Sequence, residues 1–395
     1  MNSESAPPNR YPFYAFRIAY GMTASAWFPM LARNHFAVSP TRIPFALQQS
    51  VYSVINSALA IAQELIFSRR IAATMLEPPV FIIGHWRTGT TWIHELLALD
   101  QNFITPITLE CFAPGQALVS GLLLRKLAFF LPETRPMDNM QVGWDHPQED
   151  EFALLNLGLG SPYETMIFPN RRPVRPEFLN LIGTTAEQAE AWKSGVTRFL
   201  KQVTFRGQRQ QNRPTRAYRV VAKSPPHTAR VGVLRQLFPA AQFIHVVRHP
   251  YEIFASTVRL WERLYDTQGI QKPRFGALPG GRPSVEEYVL HNMDLLYRDF
   301  AAEVSDIPAG QFCQVRYEDL VAEPVGELSR IYAQLNLRSF DAVRPTLEAH
   351  LQEHQAYKPN DNRISPRQRA EVERRWRWYF ERYGYRPSSS TGSSE

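Results

Sequence analysis

Residues 80–99 read Val80-Phe-Ile-Ile-Gly84-His-Trp-Arg87-Thr-Gly89-Thr-Thr-Trp92-Ile-His-Glu-Leu-Leu-Ala-Leu99. An apolar β-branched run opens the stretch, Gly84 and Gly89 punctuate it, and from Thr90 onward the apolar residues recur with helical spacing. The order is strand, tight loop, helix. A turn of this kind aims successive backbone N–H groups and the positive end of a helix at one point, where a phosphate or sulfate group is stabilised. The alternative is a plain glycine turn between a strand and a helix.

The spacing approaches that of a nucleotide-triphosphate loop, but Thr90 stands where such a loop carries lysine, and the cation inside the loop is Arg87. A kinase or NTPase needs that lysine on the phosphates and usually a metal beside it. Another transferable anion therefore fits better. From Arg87 to Trp92 the residues resemble the 5′-phosphosulfate loop of sulfotransferases, whose usual form is a cation, a small residue, Gly-Thr-Thr and an apolar residue. The resemblance implies that Arg87, Thr88, Gly89, Thr90, Thr91 and Trp92 hold the 5′ end of the donor, with Arg87 also acting in catalysis.

The rest of the composition bounds this reading. A chain of 395 residues with 44% apolar content can bury a full core, which excludes a disordered or fibrous protein. A net charge of +7 suits an anionic ligand, a nucleic acid or an acidic membrane surface. Lys/Arg runs with interleaved aromatics are missing, so nucleic acid is not expected as a partner. Cys111 and Cys313 are the two cysteines and lack metal-ligand spacing, which argues against a disulfide framework or a structural zinc. A reducing, cytoplasmic setting follows.

Residues 1–79 read as an apolar, helical extension. Ile18 to Ala32 is interrupted by Pro29, and Gln48 to Phe67 reads as a helix ending at Arg69 and Arg70. Neither segment reaches the roughly 20 uninterrupted apolar residues of a membrane span. No signal peptide is expected. These helices pack on the domain or on a partner chain, or else their face lies in a membrane interface or roofs a pocket for a lipid-like acceptor.

Between the loop and the next strand the sequence offers several candidates for a base, which a sulfonyl acceptor hydroxyl needs as it loses its proton. Glu110 stands alone in a proline-punctuated stretch, near where tyrosylprotein sulfotransferases carry their catalytic Glu, and a solvated surface carboxylate is the alternative. Asp145-His146-Pro-Gln-Glu149-Asp-Glu151 is an acidic knot at a helix start. The helix dipole alone accounts for such carboxylates, unless Asp145, His146 or Glu149 supplies or orients the base. Tyr163 follows in a Gly-rich turn and suits a pocket wall. Residues 206–219 read as a basic loop, and 266–283 as a Gly/Pro-rich connector or acceptor loop.

Further along, Arg219-Val-Val-Ala-Lys223 reads as a buried strand ending in a cation, and Phe243-Ile-His-Val-Val as a strand ending in Arg248. Ligands of open α/β sheets bind at the carboxyl ends of strands, which puts Lys223 and Arg248 at the crevice with the glycine loop. The resemblance continues here. A Lys before a polar residue and a Pro implies that Lys223 is catalytic, steadying charge on the breaking bond; Arg248 with Ser256 resembles the 3′-phosphate motif. Tyr317, in Tyr-Glu-Asp-Leu, is implied near the adenine, and Lys358, with Arg363, in a late basic loop over the adenosine phosphate. A structural salt bridge for Lys223 and a packed aromatic for Tyr317 are the alternatives.

The motif order from Val80 to Leu320 is similar to that of the sulfotransferase superfamily, on its bacterial-type and tyrosylprotein-like branch. The resemblance implies an α/β, P-loop-like three-layer fold with a central parallel sheet flanked by helices, preceded by the N-terminal helical extension. It implies a domain at 80–386 and a disordered tail at 387–395. The implied donor is 3′-phosphoadenosine 5′-phosphosulfate, used without a metal, and the acceptor a hydroxyl on a hydrophobic small molecule or lipid, with peripheral membrane contact as a possible partner interaction. A kinase or NTPase, and a non-catalytic nucleotide-binding protein of the same fold, are the competing functions.

Overall fold

A computed structural model describes residues 17–126, 143–210, 218–279, 281–353 and 364–387. Its centre is a sheet of five parallel strands: β1 (Val80–Ile83), β2 (Phe103–Ile104), β3 (Arg219–Lys223), β4 (Gln242–Val247) and β5 (Phe312–Arg316), in the order β2-β3-β1-β4-β5. β1 is fully buried and lies between β3 and β4, with Ile82 beside Lys223 and Ile83 beside His245. The chain order departs to either side of β1. That switch point leaves a crevice at the carboxyl ends of β1, β3 and β4.

Alternate residues of each strand face opposite ways, and the core divides accordingly. Phe81, Ile83, Val220, Ala222 and Phe243 join one apolar cluster, while Val80, Ile82, Val221, Ile244 and Val315 join a second on the other face. Both faces must therefore be covered by helices, which gives three layers. The helical series begins with α1 (Ala24–Arg33), α2 (Ile43–Ala73), α3 (Thr90–Leu97), α4 (Thr108–Phe112), α5 (Ala117–Lys126) and α6 (Glu151–Asn156). It continues with α7 (Glu164–Ile167), α8 (Ala186–Gln210), α9 (Val231–Leu237), α10 (Pro250–Gln268) and α11 (Val285–Glu303). α12 (Tyr317–Ala322), α13 (Pro324–Gln334), α14 (Arg344–Glu353), α15 (Pro366–Arg375) and α16 (Arg377–Tyr383) complete it. The expected architecture, including the helical N-terminal region, is the one observed.

Several local expectations need correction. α1 continues through Pro29, where the sequence suggested a break. α2 starts at Ile43 and ends at Ala73, well beyond the expected Gln48 to Phe67. Pro44 is favourable in its first turn, and Arg70 is favoured in its last by the helix dipole. Residues Pro40–Ala73 are consequently long and apolar enough, by length and composition, to cross a membrane, contrary to the expectation. The two-residue β2 was not foreseen, since a dipeptide carries no periodicity. Residues 206–210 extend α8 instead of opening a loop. Between Pro366 and Tyr383 the helical run is broken at Trp376, whose buried indole donates to Leu290 O at 3.3 Å. The tail at residues 388–395 lies outside the described residues.

Candidate active site

The loop after β1 is closed by short-range hydrogen bonds. Thr88 Oγ1 donates to His85 O at 2.8 Å, and Gly84 N donates to Thr228 Oγ1 at 2.8 Å. Burial pushes the His85 imidazole down to about 4, so the ring beside the loop is neutral at physiological pH. Arg87 adopts a left-handed backbone, φ +68°, a conformation that costs a non-glycine residue energy and marks a functional turn. Gly89, φ +97°, ends the loop and heads α3 with no side chain capping the helix. The first N–H groups of α3, those of Thr90 and Thr91, have no intrahelical acceptor, as at any helix start. They face the crevice edge as donors for an anion.

The second anion-binding element lies against the first. Arg87 Nε donates to Ser256 Oγ on α10 at 2.8 Å, and Arg248 Nη1 donates to the Arg87 carbonyl at 3.1 Å. The Arg248 guanidinium stacks 4.4 Å from the Tyr317 ring centroid and pairs with Glu252 at 3.3 Å. Tyr317 in turn packs on Gly89 and meets Trp92 edge to face, with centroids 6.3 Å apart. Arg87, Arg248, Ser256 and Tyr317 thus form one cluster. Lys358 and Arg363 lie outside the described residues.

Because a Cβ at Gly89 would collide with the Tyr317 ring and force a strained φ, Gly89→Ala has two independent penalties. It should weaken donor affinity by at least about tenfold, the order expected when a 1–3 kcal/mol strain is imposed on the loop. Calorimetric titration with adenosine 3′,5′-bisphosphate as the probe checks this.

On the other side of β1, Lys223 is almost fully buried at the end of β3. Its Nζ lies 3.3 Å from Thr91 Oγ1 and 2.6 Å from Glu149 Oε1. The second oxygen of Glu149 accepts the Tyr163 hydroxyl at 2.6 Å, and Trp86 Nε1 donates to that hydroxyl at 2.9 Å. Burial and the Glu149 charge hold the Tyr163 phenol well above its ordinary range, so it remains a donor. The chain of contacts runs from the anion loop through Trp86 and Tyr163 to Glu149 and back through Lys223 to Thr91. Beside it, Ser224 Oγ is buried and makes no hydrogen bond among the described residues.

The acidic knot is a ladder. Glu149 pairs with Lys223, Asp150 with His227 at 2.7 Å, and Glu151 with Arg230 at 2.6 Å. Successive carboxylates meet successive polar groups along the segment that leaves β3. Asp145, by contrast, is an exposed partner of Arg125 at 2.6 Å.

Glu110 sits elsewhere. Fully buried, it accepts from Arg206 Nε at 2.9 Å and from the backbone N–H of Ile107, the N-cap of α4, at 3.3 Å. Burial raises its pKa and the Arg206 charge partly offsets that rise. Those bonds fasten α4 to α8. The carboxylate that meets Lys223 is Glu149, which the sequence offered as one member of the knot. Tyr163 was legible as an aromatic at a turn and Ser224 as the polar residue after Lys223, while nothing in the sequence marked Trp86. Among the described residues no group of three or more His, Cys, Asp or Glu side chains could hold a metal ion.

The model of the family described as "Sulfotransferase family" matches residues 78–342, which include both halves of this cluster. The chain belongs to the sulfotransferase family. That membership removes the kinase and NTPase alternative. The chain is 39% identical over 378 residues to proteins from Mycobacterium bovis and Mycobacterium tuberculosis named omega-hydroxy-beta-dihydromenaquinone-9 sulfotransferase Stf3, covering 95% of this chain and 93% of theirs. Enzymatic sulfonyl transfer from a sulfate donor is thereby its activity, and the non-catalytic alternative falls. In fold it is similar to the sulfotransferase STF9 of Mycobacterium avium, with TM-score 0.64 and 18% identity over 92% of this chain and 93% of that one. STF1 of Mycobacterium tuberculosis matches with TM-score 0.62 and 16% identity, over 89% and 90%.

Proposed function

We propose that this sulfotransferase moves the sulfonyl group of 3′-phosphoadenosine 5′-phosphosulfate to a terminal hydroxyl of a long apolar acceptor, such as an ω-hydroxylated polyprenyl quinone. The observation that carries the chemistry is the Lys223–Glu149 pair, 2.6 Å apart and adjoining Thr91 of the anion loop. An acid and a base in contact at the rim of an anion site suit a transfer in which one oxygen loses a proton and another gains negative charge. The name of the 39% identical relatives supports the acceptor class.

In this reading the donor supplies the sulfonyl group. The N–H groups at the start of α3 and Arg87 hold its 5′ end. Arg248 and Ser256 hold its 3′-phosphate, for which the arginine fork offers parallel hydrogen bonds, and Tyr317 borders the base. Glu149 takes the proton of the acceptor hydroxyl, oriented by Tyr163. Lys223 stabilises the negative charge that develops on the departing phosphate oxygen.

The test is transfer from radiolabelled donor to an ω-hydroxylated polyprenyl quinone and to the same quinone lacking the terminal hydroxyl. Label is expected in the first alone, as a product heavier by one SO3. Transfer to a tyrosine peptide or a sugar, with none to the apolar alcohol, would overturn the acceptor class. Lys223→Met should lower turnover by about 10²–10³ with donor affinity little changed, the loss typical of one electrostatic donor at a reacting oxygen; single-turnover rates and calorimetry separate the two.

A further inference from the structure

α2 has its polarity inverted. Toward the protein it turns Gln49, Asn56 and Gln63, all buried, and each is tied to the body: Gln49 to Ala19 O, Asn56 to Tyr20 O at 2.7 Å, and Gln63 to Pro114 O at 3.0 Å. Toward the outside it turns Leu47, Val51, Val54, Ile55, Ile61 and Leu65, of which Leu65 is 81% exposed. A helix on an aqueous surface shows the opposite pattern. The neighbouring α5 adds exposed Leu122 and Leu123.

From this inversion we infer that α2 lies flat in the interface of a phospholipid membrane, carrying its exposed apolar face into the acyl boundary and its basic end onto anionic headgroups. The polar tethers are spread along the helix and hold it to the globular body, so it docks on a bilayer without crossing it. Charge identifies the occupant. Between Arg42 and Arg69 the sequence of α2 contains one charged residue, Glu64, and this is paired with Arg198. At the C-terminal end Arg69 and Arg70 are exposed, Lys201 donates to Ala72 O at 2.8 Å, and Arg209 lies 4.8 Å from the Phe67 ring. An apolar face with a cationic border is complementary to anionic lipid.

A second copy of the chain fits less well. The apolar face is broad, with Tyr52 and Ile66 flanking the stripe, whereas a helix that pairs with its own copy carries charged residues on those flanks. A second copy would also bring the same cations and no counter-charge.

Flotation of the full chain with vesicles tests this, and no acceptor is present, so the outcome is independent of the acceptor assigned above. The protein is expected to float with phosphatidylcholine vesicles containing phosphatidylglycerol. The triple variant Leu47→Ser, Val54→Ser, Leu65→Ser should partition at least about tenfold less, and Arg69→Gln with Arg70→Gln about thirtyfold less, given roughly 1 kcal/mol per basic residue near an anionic surface. Unchanged turnover of the triple variant on a detergent-solubilised acceptor would show that it is folded. Wild-type protein remaining in the aqueous fraction, a triple variant that floats as well as wild type, or a dimer dispersed by the triple variant without vesicle binding would each overturn the inference.

Discussion

Glu149→Gln should lower turnover by about two to four orders of magnitude, the usual contribution of a positioned general base, while the donor binds within a few-fold of its normal affinity. Glutamine keeps the length and the hydrogen-bonding shape of the side chain, so Lys223 and the Tyr163 hydroxyl both retain a neighbour at Glu149. What is lost is the capacity to accept a proton. Comparing its rate with that of Lys223→Met separates the loss of the base from the loss of the cation. Glu110→Gln is the matched control. Its carboxylate is bound to Arg206 and to the N-cap of α4, so turnover should stay near normal while stability declines, because Arg206 loses its counter-charge. Rapid-quench measurements with saturating donor distinguish the two variants. An inactive Glu110→Gln beside an active Glu149→Gln would reverse the roles.

The readable parts of this protein are those where local chemistry and tertiary position coincide. β1 and the Gly84–Gly89 loop were legible because a fully buried parallel strand is a continuous apolar run and the following turn demands glycine at positive φ. Lys223 and Arg248 were legible because the end of a strand in a parallel sheet is itself a functional address. The partner of Lys223 was not. Glu110 stands alone and Glu149 lies in an acidic knot, both in proline-containing stretches. They differ in what a distant segment brings to them: Arg206 of α8 to Glu110, and the end of β3 to Glu149. Family resemblance favoured Glu110, and tertiary contact favours Glu149. The ends of α2 were misjudged because helix ends carry the weakest periodic signal, whereas the buried polar side chains that anchor the helix all lie inside the expected Gln48 to Phe67.

Arg230→Met should destabilise the fold by about 3–5 kcal/mol, the cost of leaving one member of a buried ion pair without the other. Arg230 and Glu151 side chains are both fully inaccessible, with Nη1 and Oε2 2.6 Å apart. The arginine also donates from Nε to Phe178 O at 3.0 Å and lies 4.8 Å from the Trp192 ring, so its removal uncovers a carboxylate, a carbonyl and an aromatic face together. Asp145→Asn, which breaks the exposed pair with Arg125, should cost about 0–1 kcal/mol. In urea, the Arg230 variant should move the midpoint with little change in slope. The double variant Arg230→Met, Glu151→Gln should recover part of the loss, because the uncompensated charge is gone, the glutamine carbonyl still accepts from Ser161, and what remains is the missing hydrogen bond to Phe178 O. Glu151 adjoins Asp150 and Glu149 in the chain, and Arg230 terminates the segment that begins at Lys223. Loosening this last pair should therefore also relax the spacing between Lys223 and Glu149, and the folded fraction of the single variant should turn over more slowly than its donor occupancy alone requires.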